Sequence, residues 1–380
     1  MRLPVYLDYN ATTPVDERVL AEMLPWFTEN FGNAASRTHL YGWTAEDAVT
    51  KARKQVAKLL NANPKEVVFT SGATESNNLA IKGILEKYGH RGRHLISVQT
   101  EHKATLDTCQ HAQQQGAEVT YLLPAPDGLI SPQQVAEALR PDTILVSVMW
   151  ANNEIGVIQP IQEMAAIVRQ HGAFFHSDAT QAVGKIPVDV LAAGVDLLSL
   201  TAHKLYGPKG IGALWVRPGV ELSSQMDGGG HERGRRSGTL NVPGIVGLGK
   251  ACELANQEME TESNRLFKLR NHLENSLLNN IPNTFVNGNR DQRLPNVSNI
   301  CFENLDGEEL LLRLKNVAVS TGSACTSASV LPSFVLKALG LTDNQAYASL
   351  RFSLGRFTTE EEIDFAIQHI TETVFSNSYL

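Results

Sequence analysis

Residues Ala173 to Lys204 hold two short apolar runs, Ala173-Phe-Phe-His and Leu197-Leu-Ser-Leu. Each runs directly into polar chemistry: Ser177-Asp178-Ala-Thr-Gln181 after the first, Thr201-Ala-His203-Lys204 after the second. Runs this brief and this evenly apolar, rich in Phe and Leu, read as strands buried on both faces rather than as amphipathic helices. The same pattern extends toward the N-terminus, in Val67-Val-Phe, His94-Leu-Ile-Ser-Val, Glu118-Val-Thr-Tyr-Leu and Ile144-Leu-Val-Ser-Val-Met. Helical segments are expected between them, over Thr74 to Glu86, Lys103 to Gln115, Pro132 to Leu139 and Gln162 to Gln170. Strands alternating with helices predict an α/β fold, a mostly parallel sheet flanked by helices on both faces.

Beyond about residue 250 the pattern changes. A long charged helix, Glu253 to Leu278, leads to short strands around Val297-Ser-Asn-Ile-Cys-Phe and a helix starting near Asp306. This predicts a smaller α+β domain. The charges from Glu258 to Glu262 read as a solvated helix face, and Thr358-Thr-Glu-Glu-Glu as a capped helix start. No internal repeat or low-complexity tract is visible, which excludes a solenoid.

The 380 residues are 42% hydrophobic and 19% charged, ordinary for a folded globular chain of two or three domains. A net charge of -7 argues against nucleic acid or an anionic membrane as direct partner. No apolar run approaches the ~18 residues of a membrane span, and the N-terminus lacks a signal-peptide or transit-peptide pattern. The 4 cysteines are far apart with no CxxC pair, so free thiols in a reducing, cytoplasmic setting are expected and no metal site is.

In a sheet of this kind ligands gather at the carboxyl ends of the strands. Thr70-Ser-Gly-Ala-Thr-Glu-Ser76 opens a helix after a strand and offers free N–H groups to a phosphate. Alone, it is a weak signal, since such a loop more often reads as a plain Thr/Ser helix cap. His102 at a helix start reads as a cap or a catalyst, and Asn152-Asn153-Glu154 as a polar turn or a binding loop. A carboxylate at Asp178 needs a cation or donors, because an unpaired buried charge is too costly. Lys204 at the end of a buried strand reads as a solvated lysine or as one with chemical work to do. Together these groups match the needs of pyridoxal phosphate: a Schiff-base lysine, a partner for the pyridinium nitrogen and a phosphate anchor. A carboxylate ~4 Å from that nitrogen contributes about 4 kcal/mol, about three pK units, enough to keep it protonated. Nucleotide motifs fit worse: there is no GxxxxGK[ST], and Gly247-Leu-Gly249 lies on a predicted helix without a complete GxGxxG.

Leu7-Asp-Tyr-Asn-Ala-Thr-Thr-Pro14, Ser71-Gly-Ala-Thr-Glu-Ser76, Thr100-Glu-His-Lys103, Asn152-Asn-Glu-Ile-Gly156, Asp178-Ala-Thr-Gln181 and His203-Lys204 resemble the motifs of group I cysteine desulfurases. Gly228-Gly-Gly-His-Glu-Arg-Gly234, Arg236-Ser-Gly-Thr-Leu240, Thr321-Gly-Ser-Ala-Cys-Thr-Ser327 and Leu350-Arg-Phe-Ser-Leu-Gly-Arg-Phe357 continue the match, in order, over nearly the whole chain. The resemblance, within the class-V aminotransferase superfamily, implies a fold-type I pyridoxal-phosphate transferase acting as a homodimer. Residues 14–255 would form the large cofactor domain, and 1–13 with 256–380 the small domain carrying the cysteine loop.

It further implies that Lys204 forms the Schiff base, Asp178 pairs with the pyridinium nitrogen, His102 stacks on the ring and Gln181 bonds the ring's phenolic oxygen. Ala73, Thr74, Thr201, Ala202 and His203 would line the phosphate side, with Thr239 arriving from the other subunit. Asn153 and Arg351 would hold the carboxylate of L-cysteine, and Cys325 would take its sulfur as a persulfide, leaving L-alanine. A thiol of pKa ~8.5 is largely protonated near neutrality, and His102 is the candidate acceptor of its proton. Cys109, Cys252 and Cys301 lie in apolar helix or strand contexts and read as packing residues. The small, polar segment Ser320 to Val330 is expected to be mobile enough to carry sulfur outward.

The implied role is sulfur delivery to an iron–sulfur scaffold protein or another acceptor, with tRNA thiolation as a further destination. Thr201-Ala202 stands where Ser-Gly is common in the family, Thr321 where Ser is, and Ala34 where Pro is. The chain stops at Leu380, short of the longer tail of many relatives, so a weaker or different scaffold contact is expected. The competing expectations are another pyridoxal-phosphate reaction (an aminotransferase, a C–S lyase or a selenocysteine lyase) and a non-catalytic scaffold of the same fold.

Overall fold

The structure is a computed structural model, and it describes residues 2–303, 305–321 and 331–376. Twelve strands are present among them: Val5–Tyr6 (β1), Val67–Thr70 (β2), His94–Val98 (β3), Glu118–Leu122 (β4), Thr143–Ser147 (β5), Phe174–Asp178 (β6), Leu197–Thr201 (β7), Gly212–Val216 (β8), Thr284–Val286 (β9), Val297–Phe302 (β10), Val317–Ala318 (β11) and Ser349–Ser353 (β12).

Strands β2 to β8 form one seven-stranded sheet in the order β2-β8-β7-β6-β5-β3-β4. From β4 to β7 the neighbours are parallel, while β8 runs antiparallel to both β2 and β7. The expected mostly parallel sheet is therefore present, with one strand, β8, beyond those expected from the sequence. The helices Ala73–Tyr88, Lys103–Gln114, Pro132–Ala138 and Ile161–His171 fall where the alternation placed them, to within a residue or two. Val68, Leu95, Ile144 and Leu145 of the strands pack with Leu79 and Ile84 of one helix layer; Phe69, Ile96, Val146 and Phe175 pack with the opposite layer. Two covered faces explain why every residue of β3, β5 and β7 is buried, and why the strands carry no polar alternation.

The helix Val242–Asn280 is longer than the charge pattern indicated and begins with the apolar residues that precede Glu253. Its first half packs on the helix Leu40–Leu59, so closely that a Cβ on Gly249 would lie 2.6 Å from the Ala52 Cα. Its second half turns Leu266, Leu273 and Leu277 into another core with Val5, Leu7, Ile300, Leu350, Phe352 and Ile363. That core is built on the antiparallel sheet β12-β10-β9 and the parallel pair β1-β11. Asp306 caps the helix Gly307–Arg313, and Thr359 closes a capping box with Glu362 at the head of the helix Glu360–Phe375, as the sequence indicated. No helix among the described residues is long and apolar enough to cross a membrane.

Candidate active site

The sheet order reverses between β3 and β5: from β3 the chain moves outward to β4, then returns to β5, β6 and β7 on the other side. Crevices at such reversals, beyond the strands' carboxyl ends, are where α/β sheets bind ligands. His102 follows β3, Asn152 and Asn153 follow β5, Asp178 ends β6, and Thr201 ends β7 with Lys204 one tight turn later. Asp178 is thus the last residue of its strand rather than the residue after it.

Asp178 is buried and held by two donors: Asn77 Nδ2 to Oδ2 at 2.7 Å and the Thr180 amide to Oδ1 at 2.9 Å. Burial, and then the Asp178 charge, push the Glu101 carboxyl well above its ordinary value. His176, wholly buried beside Ser147 and Ser199, is pushed down to about 4 by desolvation.

His102 accepts the Ala104 amide on Nδ1 at 3.1 Å, capping its helix, while desolvation lowers its pKa and Asp178 and Lys204 act in opposite senses. The cap and the catalyst readings of this residue therefore do not compete. With Nδ1 accepting, the geometry thus places a hydrogen on Nε2 in the neutral ring.

The loop from Thr70 to Ala73 meets the end of β7. A Cβ on Gly212 would lie 2.7 Å from the Gly72 Cα, and one on Gly72 would point toward Thr201 Oγ1 at 3.7 Å. No side chain caps the helix Ala73–Tyr88 at its N-cap, Gly72, so Ala73 and Thr74 start it facing this small space. His203 stands nearby, its Nδ1 3.1 Å from Thr12 Oγ1, and burial followed by the Lys204 charge pushes it down to about 4. Ala202 is buried between them, and Thr239 lies exposed on the loop before the long helix.

Lys204 donates its ammonium to the carbonyls of Asn10 and, at 2.6 Å, of Ala11. Gln181 Nε2 reaches the same Asn10 carbonyl at 3.0 Å. From the small antiparallel sheet, Arg351 on β12 bonds Asp8 at 2.7 Å and the Asn153 carbonyl at 3.0 Å, and its buried Nε has no partner among the described residues. The structure therefore converges Lys204, Asp178, Gln181, His102, Asn153 and Arg351 on one crevice. Cys325 lies outside the described residues.

Sequence reasoning missed Asn10, Asn77, Glu101 and Lys185, all woven into this network. Asn10 stood inside the quoted motif Leu7 to Pro14, but nothing in its spacing reveals that both its backbone and side chain are used. An open helix N-terminus against Thr201, a hydrogen-bonded carboxylate at a strand end and a half-buried lysine meet the requirements of pyridoxal phosphate.

The chain matches the family Aminotransferase class-V over residues 5–365, and it belongs to that family. Class-V aminotransferases are pyridoxal-phosphate enzymes, which the donor set above fits. Among individual proteins, the chain is 56% identical over 376 residues to "Cysteine desulfurase IscS" of Anaeromyxobacter dehalogenans (strain 2CP-C), covering 98% of this chain and 93% of that one. The protein of the same name from Methylococcus capsulatus (strain ATCC 33009 / NCIMB 11132 / Bath) is also 56% identical, with the same coverage. A solved structure described as a NifS-like protein superposes with a TM-score of 0.92 at 38% identity, covering 99% of this chain and all of that one. Another, "SspA in complex with cysteine", gives 0.84 at 40% identity over 93% and 99%.

Proposed function

We propose that this protein is a pyridoxal-phosphate-dependent cysteine desulfurase, releasing L-alanine from L-cysteine and retaining the sulfur as a persulfide on Cys325. The observation that carries the reading is the meeting of a strand-end lysine and carboxylate with Arg351 from the second sheet, in a chain more than half identical to curated cysteine desulfurases.

The bound cofactor supplies the electron sink that lets bonds at the substrate's α- and β-carbons break heterolytically. Asp178 holds the charge that keeps this sink effective, with Asn77 and the Thr180 amide fixing its plane. Gln181 would orient the ring's oxygen side, and His102 would cover the ring face with Nε2–H available to donate. Ala73, Thr74, Thr201, Ala202 and His203 would surround the phosphate; His203, neutral near pH 7, would accept or donate a hydrogen bond without a charge. Arg351 and Asn153 receive the substrate carboxylate, for which a guanidinium offers a two-toothed grip. Lys204 would hold the cofactor, and its amine would carry the substrate's α-proton.

The Cys325 thiolate then attacks the substrate's sulfur. An S–S bond forms, the C–S bond breaks, and its electron pair stays with carbon, which is protonated to give alanine. Alkylation of the protein after one turnover with L-cysteine tests this step: the Cys325 peptide should be one sulfur atom heavier. An added sulfur found only on Cys109, Cys252 or Cys301 would overturn the assignment. All three are buried, and burial pushes each thiol up.

We also propose a homodimer in which Thr239 of the partner subunit completes the phosphate side. Phe27, Phe31, Leu40 and Tyr41 each expose more than half of their surface, and the Phe31 and Tyr41 rings stand 5.3 Å apart, forming an apolar patch of the kind that marks an interface. The division into residues 14–255 and 1–13 with 256–380 is supported by the core that joins Val5 and Leu7 to Leu266 and Leu350. The sulfur is destined for an acceptor protein, an iron–sulfur scaffold being the first candidate, and free Cys109, Cys252 and Cys301 suit a cytoplasmic setting.

A further inference from the structure

We infer that Lys185, a residue outside the roles described above, is a positioning residue that fixes the Gln181 amide and places a second cation beside the nitrogen of Lys204. The inference rests on the assignment of Lys204 as the cofactor-linked lysine.

Lys185 follows Gln181 by four positions in a tight turn, and its Nζ reaches Gln181 Oε1 at 2.6 Å. An ammonium can only donate, so the atom it meets must be the amide oxygen; the amide's orientation follows from the chemistry of its neighbour. Gln181 Nε2 is thereby turned to the other side, onto the Asn10 carbonyl that also receives Lys204. Lys185 Nζ makes its second, longer contact with Asn10 Oδ1 at 3.4 Å. Two lysine nitrogens thus touch one asparagine, one at its backbone oxygen and one at its side-chain oxygen.

The titratable groups facing Lys185, of which His203 is neutral near pH 7, come from several elements. Lys204 and His203 stand on the turn after β7, Arg351 on β12, and Glu262 on the long helix. Glu262 is already bonded to Arg356 at 2.8 Å and Arg351 to Asp8 at 2.7 Å, so both of these charges face Lys185 with partners of their own. The residue as a whole is half-buried, but its charged end lies deep, and burial with the Lys204 and Arg351 charges pushes it down to about 7. The repulsion is mutual: a cation beside Lys204 disfavours its protonated form and keeps its nitrogen available as nucleophile and base.

The test is a pH titration of the visible absorbance band of the cofactor-loaded enzyme, in wild type, Lys185→Met and Lys185→Arg. Removing the cation should move the midpoint up by about one pH unit, whereas arginine, which keeps the charge, should leave it at or below the wild-type value. An unmoved midpoint in Lys185→Met overturns the inference, as does an equal upward shift in both variants. Lys185→Gln supplies the neutral side chain if the methionine variant does not fold. A wild-type protein with no such band, or one whose band survives Lys204→Ala, would instead overturn the assignment of Lys204 on which the inference stands.

Discussion

The two halves of the crevice are made differently. On the large-sheet side, His102, Asp178 and Lys204 sit at or just past the carboxyl ends of buried parallel strands, each held by backbone groups or short side chains nearby. On the small-sheet side, Arg351 lies in the middle of an antiparallel strand, opposite Asn299, and reaches the crevice through Asp8 and the Asn153 carbonyl. The first arrangement gives fixed geometry to a group that stays bound. The second places a long side chain on a separate core, which would suit gripping and releasing a substrate. The N-terminal segment stitches the halves together, with Asn10 bonded to Lys204, Gln181, Asn153, Asn296 and Ser353.

Substitutions on each side should separate these functions. The largest effect is expected for Lys204→Ala, which should lower alanine formation by about ten-thousand-fold and erase the cofactor's visible band, measured by product assay and absorbance. Cys325→Ser should bring sulfide release to background while leaving that band intact; wild-type turnover in this variant would break the division between cofactor-holding and sulfur-taking residues. Arg351→Lys keeps the charge but loses the fork, so about 2 kcal/mol of carboxylate binding, a KM about thirtyfold higher, is expected with the band unchanged.

The smallest effect concerns stability. His176 and His203 are pushed from the usual value near 6.5 to about 4 in the folded protein, so the unfolded chain binds more protons between those values. Stability should therefore fall as pH drops from about 6.5 toward 4, and thermal melts of His176→Gln should show a shallower fall. A steeper fall in the variant would contradict the burial argument.

Much of the large-sheet side was legible in the sequence, because a buried strand and the polar group ending it are neighbours along the chain. Thus Phe174-Phe-His-Ser-Asp178 announces both its strand and its carboxylate. The helix starts at Asp306 and Thr359 were legible for a similar reason, since a cap is a short-range interaction. β8 was harder: Gly212-Ala-Leu-Trp-Val follows a Gly/Pro-rich turn, and its antiparallel insertion between β2 and β7 depends on pairing distant in sequence. The roles of Asn10 and Lys185 were invisible, because each is defined by partners in other segments of the chain. Arg351 became a site residue only through family resemblance, as β12 alone reads as an ordinary buried strand.

The measurement that bears most directly on the central claim is the product balance from L-cysteine with the purified, cofactor-loaded protein under reductant. Cysteine desulfuration predicts sulfide and alanine in equal amounts. Sulfide accompanied by pyruvate and ammonia would contradict it and identify a C–S lyase instead.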